Sequence, residues 1–122
     1  MNEIEISKYV KLYTGQEGLS VIVFRVGSRD DNQVLIKICN IDHPRSEKIF
    51  RCEKCNAGNG YDYRTVEGPD YLIMSSRDSG WRHEYIVYLD DGVKVYHDEK
   101  KSKKISTEKI YNEYIDQNKT NL

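Results

Sequence analysis

The chain reads as a β-rich α+β domain. It should hold about seven or eight mostly antiparallel strands, forming a curved sheet, a sandwich or a partly open barrel, with one C-terminal helix. Three observations predict this. Short apolar alternations recur between clusters of Gly, Asp, Asn and Ser, the rhythm of antiparallel sheet rather than of βαβ units. The stretch "HEYIVYLDDGVKVYH" (His83 to His97) has the form of a hairpin. The single clear helical spacing lies in "ISTEKIYNEYIDQ", near the end of the chain.

Taken in order, Ile4 to Tyr13 places Ile4, Ile6, Val10 and Leu12 on one face of a strand closed by "TGQEG". "LSVIVFRV" (Leu19 to Val26) is apolar on both faces, which predicts a strand buried from both sides. "GSRDDN" turns into "QVLIKIC", making a three-strand meander. "NIDHPRS" is a loop, followed by a short strand around Lys48 to Arg51, and Tyr61 to Val66 and "YLIMSS" are further strands. In the hairpin, Asp91-Gly92 fits a two-residue turn with positive φ, which sets Asp90 opposite Val93, Tyr88 opposite Val95 and His97 opposite Ile86. Ser106 is the predicted N-cap of the helix. Ile105 and Ile110 suit a hydrophobic staple, and Ile110, Tyr111, Tyr114 and Ile115 make the apolar face. Residues 1–117 are read as one domain and 118–122 as a frayed tail.

A chain of 122 residues with 32% charged and 38% apolar residues and a net charge of -1 is of ordinary globular composition. It buries roughly two-thirds of its unfolded surface and needs no staples to fold. The opening "MNEIEISKYV" has no signal-peptide pattern, and no run approaches the roughly 18 apolar residues of a membrane span. A cytoplasmic protein is expected. Three cysteines in such a compartment argue against structural disulfides.

"CEKCNAGNGYDYR" (Cys52 to Arg64) poses the sharpest chemical question. The spacing of Cys52 and Cys55 matches a zinc knuckle, for which Cys39 and His43 are the nearest further ligands. No second pair accompanies it, and Cys39 ends an apolar strand, where cysteine commonly serves as a small hydrophobe. "NAGNG" cannot continue as a helix, which removes a thioredoxin-like redox pair. The leading reading is a metal-free, glycine-rich loop that carries two thiols, with no cofactor. A zinc-knuckle module binding nucleic acid or protein is the alternative.

His83-Glu84 and His97-Asp98 are sequence neighbours on strands, so each pair points to opposite faces and makes no acid–base dyad. With no nucleophile elbow or phosphate-cradling loop either, the chain is read as a non-enzyme, with an uncharacterised enzyme as the third reading. "KKSKK" (Lys100 to Lys104) could contact phosphates, but two acids precede it and no aromatic residue interleaves it. It is read as a solvated connector, with nucleic acid the lesser partner class.

Between Glu53 and Asp91, eight acids face four bases, and the chain as a whole carries ten tyrosines against two phenylalanines. Tyrosine, tryptophan and arginine dominate binding hot spots. The expected partner-binding set is therefore Trp81, Arg82, Tyr85, Tyr61, Tyr63, Asp62 and Glu84. The function expected is that of a small protein-binding module, of the inhibitor or immunity type, that covers the active site of a toxin or enzyme.

Overall fold

A computed structural model describes residues 5–78 and 83–120, and in it eight antiparallel strands close into a barrel. They are β1 (Ile6–Thr14), β2 (Ser20–Val26), β3 (Gln33–Cys39), β4 (Lys48–Asn56), β5 (Gly60–Thr65), β6 (Leu72–Asp78), β7 (His83–Tyr88) and β8 (Gly92–His97). Each strand pairs with its sequence neighbours, and β8 returns to β1. Of the three arrangements expected, the barrel is the one formed, and it is closed. A short helix α1 (Glu99–Ser102) and a long one, α2 (Thr107–Thr120), complete the chain. No helix among the described residues is long and apolar enough to cross a membrane.

Inward positions alternate along each strand and fill the barrel with side chains, as an eight-stranded barrel's diameter allows. Val21, Ile36, Ile38, Cys52, Ile73, Met74, Val87 and Val95 form this core, all of them essentially inaccessible to solvent. One extra residue on β6, Ile73, sits where Tyr63 pairs with Met74 and Arg64 with Leu72, so Ile73 and Met74 both reach the core.

A second core lies outside the barrel wall. Outward-facing Phe24, Val26, Leu35 and Ile49 are covered by Ile110 and Tyr114 of α2, with Tyr111 and Ile115 at the edges. The helix begins as its sequence predicts, with the Ser106 hydroxyl accepting from the Lys109 N–H at 3.3 Å. It is pinned at mid-length by Lys37 to Glu113 at 2.7 Å. Near its end the Gln117 side-chain amide makes two bonds to the main chain of Ile49, both at 2.9 Å, in the manner of a neighbouring strand. The helix continues through Asn118 to Thr120.

The seam between β8 and β1 is short. Only Tyr13–His97 and Thr14–Tyr96 pair directly, and the Asp98 N–H then donates to Leu12 O at 2.7 Å. The next donor in line, the Leu12 N–H, has no strand to meet. It donates instead to the buried Ser102 hydroxyl at 2.8 Å, which in turn donates to Asp98 O at 2.7 Å. The run expected to be a plain solvated connector therefore contains a helical turn whose serine completes the barrel closure.

Two expectations are corrected. The β7–β8 connection is a three-residue loop, Leu89 to Asp91, which pairs Tyr88 with Gly92, Val87 with Val93 and Tyr85 with Val95. Neither Asp91 nor Gly92 has a positive φ. Burying Leu89 against the barrel core outweighs the two-residue turn chemistry, and the register shifts with it. Second, the cysteines belong to no loop: β4 runs to Asn56, and the turn is confined to residues 57–59.

Candidate functional site

The two ends of the barrel are finished differently. At one end the β3–β4, β5–β6 and β7–β8 loops are tied together. The Arg45 guanidinium donates to Tyr88 O and lies 5.5 Å from the Tyr71 ring centre, and His43 meets Asp90 at 3.2 Å. The Tyr114 hydroxyl donates to Glu67 of the β5–β6 loop.

At the other end, strands β4 to β7 frame an open depression of about 390 Å³. Its construction starts at Gly60, where β5 lies so close to β6 that a Cβ would stand 1.9 Å from Ser76 O. The β4–β5 turn is clamped to the end of β6: Asp78 N donates to Asn59 O at 2.8 Å, and the Asn59 amide returns a bond to Asp78 O at 3.1 Å. Tyr61 follows, 41% exposed, with the Lys54 ammonium 4.0 Å from its ring centre, a cation–π contact between diagonal cross-strand neighbours. Arg77 lies beside it. Its guanidinium donates to the Asp62 carboxylate at 2.8 Å and to the main-chain oxygens of Tyr61 and Ser76 at 3.2 and 2.8 Å. Asp62 also accepts from the Ser75 hydroxyl at 2.6 Å. That bond, with the Arg77 charge, holds its carboxyl below the usual range.

Tyr63 and Tyr85, expected on the same binding face, instead turn into the barrel beneath this end. The rings of Tyr85 and Tyr13 stand 4.5 Å apart. Burial, reinforced by the neighbouring phenols of Tyr85 and Tyr61, pushes the Tyr63 hydroxyl up to about 12. Burial drives the Tyr13 hydroxyl higher still. Glu84 pairs with Lys94 at 3.5 Å beside a smaller hollow of about 290 Å³ that also takes in His83, Tyr85 and Tyr96. Of the expected set, the fold places Tyr61 at the depression, sets Asp62 on the opposite face of β5 where it holds Arg77, turns Tyr63 and Tyr85 inward, and sets Glu84 at the adjoining hollow. Trp81 and Arg82 lie outside the described residues. Arg77, Asn59 and His83 were missed as site residues, because their meeting depends on the β5–β6 and β6–β7 register, which no local pattern announces.

Cys52 and Cys55 stand on opposite faces of β4. Cys52 is buried beside Val34 and Thr65, and Cys55 pairs with Asp62 and is half-exposed. A knuckle needs both thiols on one side of a turn. Burial pushes the Cys52 thiol up to about 12, and burial with Glu47 nearby pushes Cys39 up to about 11, so both are neutral thiols near pH 7. Among the described residues, no group of three or more His, Cys, Asp or Glu side chains is arranged to hold a metal ion. His83 contacts Asp78 across the β6–β7 pair at 3.8 Å rather than its neighbour Glu84.

No protein-family model matches the chain, and no curated protein or solved structure is significantly similar to it.

Proposed function

We propose that the chain is a small protein-binding module, of the inhibitor or immunity type, that covers a functional surface of another protein with the open end of its barrel. The observation that carries this reading is the pre-set pair of Tyr61 and Arg77 beside a concave depression. These are two of the side-chain types that dominate binding hot spots, and both are already held in place by Lys54, Asp62 and main-chain oxygens. Holding such groups before the partner arrives removes much of the ordering cost of association. The barrel interior, being filled with side chains, leaves the surface as the place where binding occurs. No catalytic role is assigned to the histidines or thiols in this reading.

The test uses the whole chain as bait in extract of its own cells. A protein retained by the wild type is identified, purified and titrated against wild type and Tyr61→Ala. A one-to-one complex weakened about 30-fold by Tyr61→Ala, with an unchanged melting temperature, supports the reading. A reconstituted complex indifferent to both Tyr61→Ala and Arg77→Ala would place binding elsewhere and overturn it.

A further inference from the structure

A second surface, on the β1 side of the barrel, is assembled from two segments that the Leu12–Ser102 bond joins across 90 residues of sequence. Packing of α1 on β1, fixed by the Leu12 and Ser102 bond at 2.8 Å, brings the run that carries Lys100, Lys101, Lys103 and Lys104 onto the strand that carries Lys8 and Lys11, and Lys8 shares a hollow with residues 105–108. All six are exposed, and none has a carboxylate partner among the described residues. Four acids lie nearby. Glu5 is drawn to Arg25 at 3.6 Å, Asp98 caps α1 by accepting from the Lys101 N–H at 3.0 Å, and Glu99 and Glu108 remain. Cationic charge predominates.

The patch also has aromatic residues, which the lysine run lacks in sequence. β1 is irregular between Ile6 and Val10, and this irregularity turns Tyr9 outward to 88% exposure, the highest of any large apolar or aromatic side chain described. Tyr96, paired with Thr14 four residues before Lys100, is 67% exposed at the rim of the hollow it shares with Glu84 and Lys94. An aromatic ring left almost wholly in water brings nothing to folding, whereas it offers a base a face to stack on.

We propose that this surface binds single-stranded nucleic acid, the lysines meeting phosphates and Tyr9 and Tyr96 stacking on bases. It includes neither Tyr61 nor Arg77, and its test shares no variant with the test of that reading. Lysines for phosphates together with exposed ring faces for unstacked bases are the two elements of a single-strand site, and a duplex presents no unstacked bases to the rings.

The experiment follows the fluorescence anisotropy of a labelled single-stranded oligothymidylate of about 15 nucleotides at about 50 mM salt, with a duplex of equal length as control. Saturable binding is expected, preferring the single strand and falling with salt. Lys101→Gln with Lys104→Gln should make the log–log salt slope shallower by about 1.4, two phosphate contacts' worth. Tyr9→Ala should weaken binding about tenfold with the slope unchanged. Absence of saturable binding, equal affinity for the duplex, or affinity unaffected by both Tyr9→Ala and Tyr96→Ala would each overturn the proposal. All four side chains are exposed, and melting curves verify that the variants fold.

Discussion

The two halves of the barrel wall show how differently one strand pattern can be used. Strands β2 to β4 are buried on both sides over much of their length, by the barrel core within and by α2 without, and the outward positions so covered are Ile22, Phe24, Val26, Leu35 and Ile49. Strands β5 to β8, among the described residues, have no helix packed over them as α2 packs over the others. Their outward positions carry Asp62, Arg77, Glu84 and Lys94, which pair with one another across strands. The covered half is thus a three-layer structure and the bare half a two-layer one. The Tyr61 depression lies on the bare half, whereas the lysine surface begins at the edge of the covered half, where Lys8 meets the start of α2.

The difference between the halves can be tested most severely at Phe24. Phe24→Ala, beneath α2, should cost about 3–5 kcal/mol, whereas Ile86→Ala on the bare outer wall should cost about 1 kcal/mol, both read from denaturant melts. Equal losses would mean that α2 contributes little to the wall it covers. Next in size is Gly60→Ala, where the added methyl meets Ser76 O and forces β5 from β6. A loss of about 1–3 kcal/mol or more is expected, along with damage to the Tyr61 site. The join between the halves is tested by Ser102→Ala, which strands the buried Leu12 N–H and should cost about 1–3 kcal/mol. Early hydrogen exchange at the β1–β8 seam in that variant would show that the serine closes the barrel.

The smallest effect belongs to alkaline pH. Tyr63 is raised to about 12 in the folded state against about 10 unfolded, so between these values the unfolded chain releases a proton that the folded one retains. Its contribution is intact below pH 10 and is lost as pH rises toward 12. Tyr63→Phe should flatten that decline in melting temperature and change nothing near neutrality. An unaltered alkaline limb would place the phenol in water rather than inside the bare half.

What could be read early was whatever depends on local periodicity. "LSVIVFRV", apolar at every position but Ser20 and Arg25, announces a strand covered on both faces, and α2 is the cover. Ser106, Ile110 and Tyr114 define a capped amphipathic helix by spacing alone. Where local chemistry competed with burial, burial won. Asp91-Gly92 offered a tight turn, but Leu89 gained more by packing on the core, and the hairpin moved out of the expected register.

The cysteine pair shows the same limit from another side. In sequence it is a motif, yet extending β4 by a few residues puts its two thiols on opposite faces of a sheet. Of the candidate site, Tyr61 and Asp62 were identifiable by type and position. Their contacts with Arg77 and Ser75, and the clamp between Asn59 and Asp78 beside them, were not, since these arise from register and close approach between strands.

The sequence by itself determined the class of fold, the strands with two buried faces, the helix and its cap, because each depends on interactions within a few residues or on a repeating pattern of polarity. Only the tertiary structure decided that eight strands close, that a serine in a lysine run completes the seam, and which side chains share a surface. Closure depends on the sum of twist, stagger and burial around the whole barrel, and a hydrogen bond between Leu12 and Ser102 joins residues that no local window contains.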